Sequence, residues 1–136
     1  MTASVRVVAG VLRDRDGRIL ISKRPAGKHM AGYWEFPGGK IATGESGEQA
    51  LARELSEELG VSLRRCHPLL QLRHDYTDRV VELDVFVVDD YQGEPSSREA
   101  QPLKWVSASD LNAHGLLPAD RPIVDALNFD ALNSTR

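Results

Sequence analysis

Residues 39–61 read GKIATGESGEQALARELSEELGV, and this stretch decides both the fold and the chemistry to look for. Its second half is a helix with a signal at each end. Ser46 is suited to cap the N-terminus, and Gln49 three residues on completes a capping box. Gly60 supplies the left-handed residue on which helices end. Between them Leu51, Leu55 and Leu59 recur every fourth residue, with Ala52 beside them, as an apolar stripe that must be buried. At about 100° per residue, Glu54, Glu57 and Glu58 fall on one narrow face bordering that stripe. Like charges at these offsets repel by roughly a few tenths of a kcal/mol per pair. A hard divalent cation relieves that repulsion, because oxygen ligands on a rigid element make a magnesium-type site. Taken alone, the three glutamates fit a solvated acidic face equally well.

The flanks shift that balance. Pro37-Gly38-Gly39 and Gly44 let backbone approach a ligand or metal closely. Glu45 stands outside the helix and could pair with Arg53 or reach the metal. Arg53 lies four residues before Glu57, where it could form a surface pair or orient that carboxylate. The spacing Gly39-x-x-x-x-Gly44 echoes a phosphate-binding loop, but Glu45 stands where that loop requires Lys. No HExxH zinc pair, GxSxG elbow or GxGxxG dinucleotide turn is present.

Around this helix the chain reads as strands with few helices, hence a curved mixed sheet covered by helices. Val5, Val7, Ala9 and Val11 alternate as a half-buried strand; Asp16-Gly17 then makes a tight turn, with Arg18 to Lys23 as hairpin partner. Tyr33 to Phe36 is a short extended piece. Leu69–Tyr76 and Arg79–Asp89 form strands joined at Thr77-Asp78. Residues 91–102 are polar and carry two prolines and a glycine, so they read as a loop before a last strand, Leu103–Val106. Ser107 and Asp120 each open a helix, the second running to about Leu132. Trp34 and Trp105 suit the core better than base stacking, and Tyr76 is a weaker stacking candidate. His67 and His74 lack a metal-ligand partner at useful spacing. Cys66 reads as a small buried hydrophobe, and Asp84 faces solvent or an open sheet edge.

The whole composition narrows the setting. A chain of 136 residues is one domain, 41% hydrophobic and 27% charged, as soluble globular proteins are. The single cysteine excludes an internal disulfide. No apolar run approaches a membrane span and no basic-then-apolar leader follows Met1, so the expected location is the cytoplasm. A net charge of −3 argues against nonspecific polynucleotide binding but leaves room for a small phosphorylated ligand.

Gly39, Glu45, Arg53, Glu54, Leu55, Glu57, Glu58, Gly60 and Val61 match every fixed position of the Nudix box, Gly-x5-Glu-x7-Arg-Glu-U-x-Glu-Glu-x-Gly-U, where U is bulky and aliphatic. The chain thus resembles the Nudix hydrolases. That resemblance implies an α/β/α sandwich with a curved mixed sheet, and magnesium-dependent hydrolysis of nucleoside diphosphate derivatives. Arg24, His29-Met30-Ala31, Glu35 to Ile41, Gly93-Glu94-Pro95, Glu99 to Pro102, Trp105 and Pro118-Ala119 extend the likeness, over nearly the whole chain, to the MutT branch. That branch includes the 8-oxo-dGTP diphosphatases. By this similarity Glu54, Glu57 and Glu58 would ligate magnesium, for which manganese could substitute, with the Gly38 carbonyl and Glu99 completing the set. Lys40 would sit near phosphate, and Arg24, His29, Phe36 and Arg79 would line the nucleoside pocket.

One position departs from the branch. MutT enzymes carry Asn where this chain has Asp120. An ionised carboxylate only accepts hydrogen bonds, whereas an amide also donates. Guanine O6 needs a donor, so Asp120 suits it only when protonated; otherwise Asp120 suits a cytosine or adenine amino group. CTP-type pyrophosphohydrolases resemble this chain here, and a plain helix cap is an equal alternative. The expected reaction is hydrolysis of a nucleoside triphosphate to the monophosphate and pyrophosphate, with 8-oxo-dGTP the first substrate named and CTP or a modified dCTP the alternative. Either Glu54 or Glu99 could serve as general base, Glu54 being the better fixed. A noncatalytic nucleotide sensor should have lost a metal-binding glutamate, and none is missing. Monomer and homodimer both remain open.

Overall fold

The computed structural model describes residues 3–134. Seven strands and two α-helices follow in the order β1 (Ala3–Leu12), β2 (Ile19–Lys23), β3 (Trp34–Glu35), β4 (Gly38–Lys40), α1 (Gly47–Leu59), β5 (Ser62–Tyr76), β6 (Arg79–Gln92), β7 (Leu103–Val106) and α2 (Arg121–Ser134). Two short 3-10 helices, Ala108–Ala113 and Pro118–Asp120, precede α2.

The strands form a four-stranded mixed sheet in the order β4-β1-β6-β5 and a three-stranded sheet in the order β3-β2-β7. In the first, β1 runs parallel to β6 and antiparallel to β4, while β5 and β6 form a long antiparallel hairpin. The second is wholly antiparallel. Alternation along β1 explains the layering. Val8 and Leu12 face a core cluster containing Leu51, Leu55 and Leu59 of α1. Ala9 and Val11 face the opposite cluster, with Ile123, Val124 and Leu127 of α2. Leu20 joins the first cluster, and Ile19 and Ile21 the second. The strands are therefore enclosed between two helices, giving the α/β/α sandwich.

Helix α1 forms as its sequence dictates. The Gln49 backbone N–H donates to Ser46 Oγ at 3.1 Å and the Ser46 N–H to Gln49 Oε1 at 2.9 Å, closing the capping box. Gly60 ends the helix in the left-handed region at φ 70°. Leu51, Leu55 and Leu59 are fully buried, and Ala50 rather than Ala52 completes the buried stripe. Gly10 lets the helix approach β1, since a Cβ there would lie 3.0 Å from Leu51 Cδ1.

Several elements differ from the sequence-based expectation. Arg18–Lys23 is not the hairpin partner of the first strand. A single bridge, Arg13–Ile19, links them before β2 enters the other sheet. The physical reason is that β4 and β6 already occupy both edges of β1. The turn itself is held by Asp14 Oδ1, which accepts from the Asp16 and Arg18 N–H groups at 3.0 and 2.8 Å. Strand β5 begins at Ser62, seven residues before the expected start, because β6 extends to Gln92 and offers it a ladder. Tyr91 therefore belongs to a strand. Gly38–Lys40 forms a further short strand on β1, and Ser107 opens a 3-10 helix rather than an α-helix. Asp84 faces no open edge, since β6 is interior; it accepts from Gln71 at 3.1 Å and lies 3.8 Å from Arg6. Cys66 is half-buried, its thiol pKa raised by burial.

Candidate active site

One cleft of about 770 Å³ gathers the candidate residues. Glu54, Glu57, Glu58, Gly38, Lys40 and Glu99 line it, as do Arg24, His29, Phe36, Arg79 and Asp120. Helix α1 supplies three glutamates, the β3–β4 segment supplies Phe36, Gly38, Gly39 and Lys40, and the β6–β7 loop supplies Glu99. Arg53 is outside the lining and acts behind it.

The glutamates share a face, as their spacing requires, but their surroundings differ. Glu54 is 15% exposed and Glu57 55% exposed. Arg53 Nη1 donates to Glu54 at 3.0 Å, while the Gly38 backbone N–H donates to Glu58 at 3.3 Å. Among the described residues no three His, Cys, Asp or Glu side chains are already grouped as a metal cage. Burial, then the charges of Glu54, Glu35 and Glu99, push the Glu58 pKa up to about 8. Burial also raises the Glu54 pKa, against the Arg53 hydrogen bond that lowers it.

Crowded oxygen donors with too little positive charge suit a hard divalent cation. Gly39 makes this packing feasible. A Cβ there would come within 2.4 Å of Glu54 Cδ.

Arg53 answers the alternatives left by its spacing. Its Nε and Nη2 clasp Glu45 at 2.8 and 2.9 Å, and Nη2 also donates to the Lys40 carbonyl at 3.0 Å. The Glu57 contact is the longest, 3.5 Å. Arg53 thus anchors the Lys40–Glu45 loop and Glu54 more than it orients Glu57. Its hydrogen bonds, with the Ala42 N–H, hold the Glu45 pKa down at about 2, so Glu45 is a fixed counter-charge.

At the other end of the cleft Asp120 is 4% exposed, and its Oδ2 accepts from the Phe36 N–H at 3.4 Å. Burial first, then Glu35, raises its pKa to about 8. Its hydrogen-bond partner is the Phe36 N–H rather than the N-terminus of α2, so the side chain does not behave as a simple helix cap. Tyr76 OH accepts from the Ala119 N–H at 3.1 Å, and its ring stands edge-on to His29 at 5.1 Å. Arg24 donates to the His29 carbonyl at 2.6 Å and to Glu35 at 2.8 Å, bracing the Pro25–Gly32 loop. His29 Nδ1 lies 3.3 Å from Asp78, and Arg79 Nε 3.6 Å from the same carboxylate.

Trp34 and Trp105 pack half-buried against the two cores and do not line the cleft. His67 pairs with Asp89 at 2.7 Å, and His74 packs on Tyr76 at 4.5 Å. Glu35 and Gln101 received no role from the sequence, yet both line the cleft. Glu35 could have been found from its place beside Phe36. Gln101 falls within the MutT-like segment Glu99 to Pro102 without being assigned a role.

The model of the NUDIX domain matches residues 8–126, and the chain belongs to this family. It is similar to an 8-oxo-dGTP diphosphatase of Escherichia coli (strain K12), 38% identical over 123 residues, covering 90% of this chain and 95% of the relative. It is equally similar to a CTP pyrophosphohydrolase of the same organism, 39% identical over 132 residues and covering 97% and 96%. Among solved structures, the solution structure of the E. coli ORF135 protein superposes with a TM-score of 0.82 at 38% identity, covering 99% of this chain and 94% of that one. Among the described residues no helix is long and apolar enough to cross a membrane.

Proposed function

We propose that this Nudix hydrolase is a nucleoside triphosphate pyrophosphohydrolase of the MutT type, releasing a nucleoside monophosphate and pyrophosphate, with 8-oxo-dGTP its preferred substrate in the cytoplasmic nucleotide pool. The observation that carries this reading is one cleft joining the α1 glutamates to a buried, raised-pKa Asp120. At neutral pH such a carboxyl keeps its proton. It can then donate to guanine O6 through one oxygen while the other accepts from the Phe36 N–H. That removes the objection that Asp cannot replace the amide of MutT enzymes.

Glu54, Glu57 and Glu58 would hold the divalent ions, magnesium by the hardness of the donors, with Glu99 and the Gly38 carbonyl as further ligands. When bound, such ions supply neutralising charge to the phosphates and acidity to water. Lys40 offers a further cation to the phosphates. Glu54 is the stronger candidate for general base, because a helix and Arg53 both fix it. It would take the proton of the attacking water as the water oxygen bonds to phosphorus and the α–β anhydride P–O bond breaks, leaving the nucleoside monophosphate and pyrophosphate.

The 39% identity with a CTP pyrophosphohydrolase supports a second reading, in which Asp120 is ionised and accepts from a cytosine amino group. A panel of 8-oxo-dGTP, dGTP, dCTP, CTP and ADP-ribose at fixed magnesium separates the two. Highest kcat/KM for 8-oxo-dGTP supports the first; highest for CTP or dCTP overturns it. Binding without pyrophosphate release would overturn both.

A further inference from the structure

We propose that Gln101 is a positioning residue whose side-chain amide latches the β6–β7 loop to the C-terminal end of α1 and thereby aims Glu99 at the glutamate face. The inference rests on the role proposed for Glu99 and extends it to a residue outside the Nudix box.

Ser96 to Ala100 are exposed, whereas Gln101 is only 8% exposed. Both ends of its amide are engaged. Nε2 donates to the Glu58 carbonyl at 3.2 Å; Oε1 accepts from the Glu99 N–H at 3.0 Å and from Ser97 Oγ at 2.8 Å. One side chain thus joins the backbone of a helical glutamate to the backbone of the loop glutamate. The loop grips the same helix end elsewhere. The Arg98 N–H donates to the Glu58 carbonyl and the Ser96 N–H to the Leu59 carbonyl, each at 3.0 Å. The Arg98 guanidinium lies over Gly60, where a Cβ would come within 2.5 Å of Nε, at the negative end of the helix.

The backbone between Glu99 and Gln101 shows why a latch is needed. Ala100 has φ 60°, a left-handed conformation that a non-glycine residue keeps only when its surroundings impose it. The residue that turns Glu99 into the cleft is therefore disfavoured locally. Its immediate neighbour Gln101 supplies restraint from both sides. An exposed loop without sheet pairing could not hold this geometry from its own propensity.

The test is Gln101→Met, which keeps length and volume but neither donates nor accepts effectively. With the nucleotide ranked first in the panel, kcat should fall about 30-fold with KM within about twofold, as for a carboxylate displaced by roughly 1 Å. Two readouts separate positioning from mere support. In metal-free protein, hydrogen exchange at the Glu99 amide should quicken about tenfold while the α1 amides stay protected. In a Glu99→Gln background, adding Gln101→Met should lower kcat no further. Gln101→Glu keeps the acceptor without the donor and should retain more Glu99 protection than Gln101→Met; it carries the same comparison if the Met variant fails to fold. Equal losses in both backgrounds, or unchanged exchange at Glu99, would overturn the latch. Full activity of Glu99→Gln alone would instead overturn the role of Glu99, with the exchange result still deciding whether the latch exists.

Discussion

Replacing Asp120 by Asn keeps the shape and both hydrogen-bonding atoms of the side chain but abolishes its proton equilibrium. Burial and the nearby Glu35 raise the Asp120 pKa from 3.8 to about 8. A gap of about four pH units, at about 1.4 kcal/mol per unit, sets an upper bound of about 6 kcal/mol on ionising the carboxyl in place. The sign follows from linkage. The folded protein holds a proton that the unfolded chain releases, so the stability due to protonated Asp120 is complete below about pH 4 and lost once pH has risen through about 8. The Asn variant lacks this contribution. Wild-type stability minus variant stability should therefore fall by up to about 1.4 kcal/mol per pH unit between about pH 5 and 8, then level off. Glu58 titrates over the same interval, but it is common to both proteins and cancels in the difference. Urea unfolding of the two proteins at half-unit steps measures it. The same proton should govern recognition: wild-type kcat/KM for 8-oxo-dGTP should drop above about pH 8 relative to Asp120→Asn. Parallel stability profiles for the two proteins would refute the reasoning, because Asp120 would then be ionised in the fold at neutral pH.

Other perturbations test the remaining links. Glu54→Gln and Glu57→Gln should each fold normally yet turn over at least about a hundredfold more slowly at saturating magnesium, roughly 3 kcal/mol in the barrier; steady-state kinetics decides. Arg53→Lys should lose most of the activity that Arg53→Ala loses, because an ammonium cannot clasp Glu45 with two parallel donors while holding Glu54. Full activity in Arg53→Lys would mean that charge alone suffices. Leu55→Ala removes a fully buried side chain and should cost about 2–5 kcal/mol in denaturant unfolding, with a smaller change indicating that α1 can shift to refill the space.

The legibility of the site depended on distance along the chain. Glu54, Glu57 and Glu58 share a face because helical geometry acts over a few residues, so spacing alone is informative. Their differing electrostatics were not legible. The raised Glu58 pKa comes first from burial, then from Glu54 on the same helix, and then from Glu35 and Glu99, which are brought beside it from distant segments. Glu45 illustrates the same limit: its spacing allows either a pair with Arg53 or a place at the metal, and the fold of the Lys40–Glu45 loop back on the helix decides for Arg53. For Asp120 the sequence leaves a helix cap and a base-reading role equally open; its partner, the Phe36 N–H, is 84 positions away and beyond any local pattern. Gln101 lies within the MutT-like segment Glu99 to Pro102 but receives no role there, since two of its partners, the Glu58 carbonyl and the Glu99 N–H, are backbone groups.

What residues 39–61 determined unaided was local: a capped helix, its buried leucine stripe and the glutamate face beside it. Hydrogen bonding within one helical turn and 3.6-residue periodicity suffice for that. Tertiary structure decided which strands pair, that β2 leaves β1 for a second sheet, and that a buried Asp120 lines the same cleft as the glutamates. Strand pairing and desolvation depend on segments far apart in the chain, and no local pattern encodes which of them will meet.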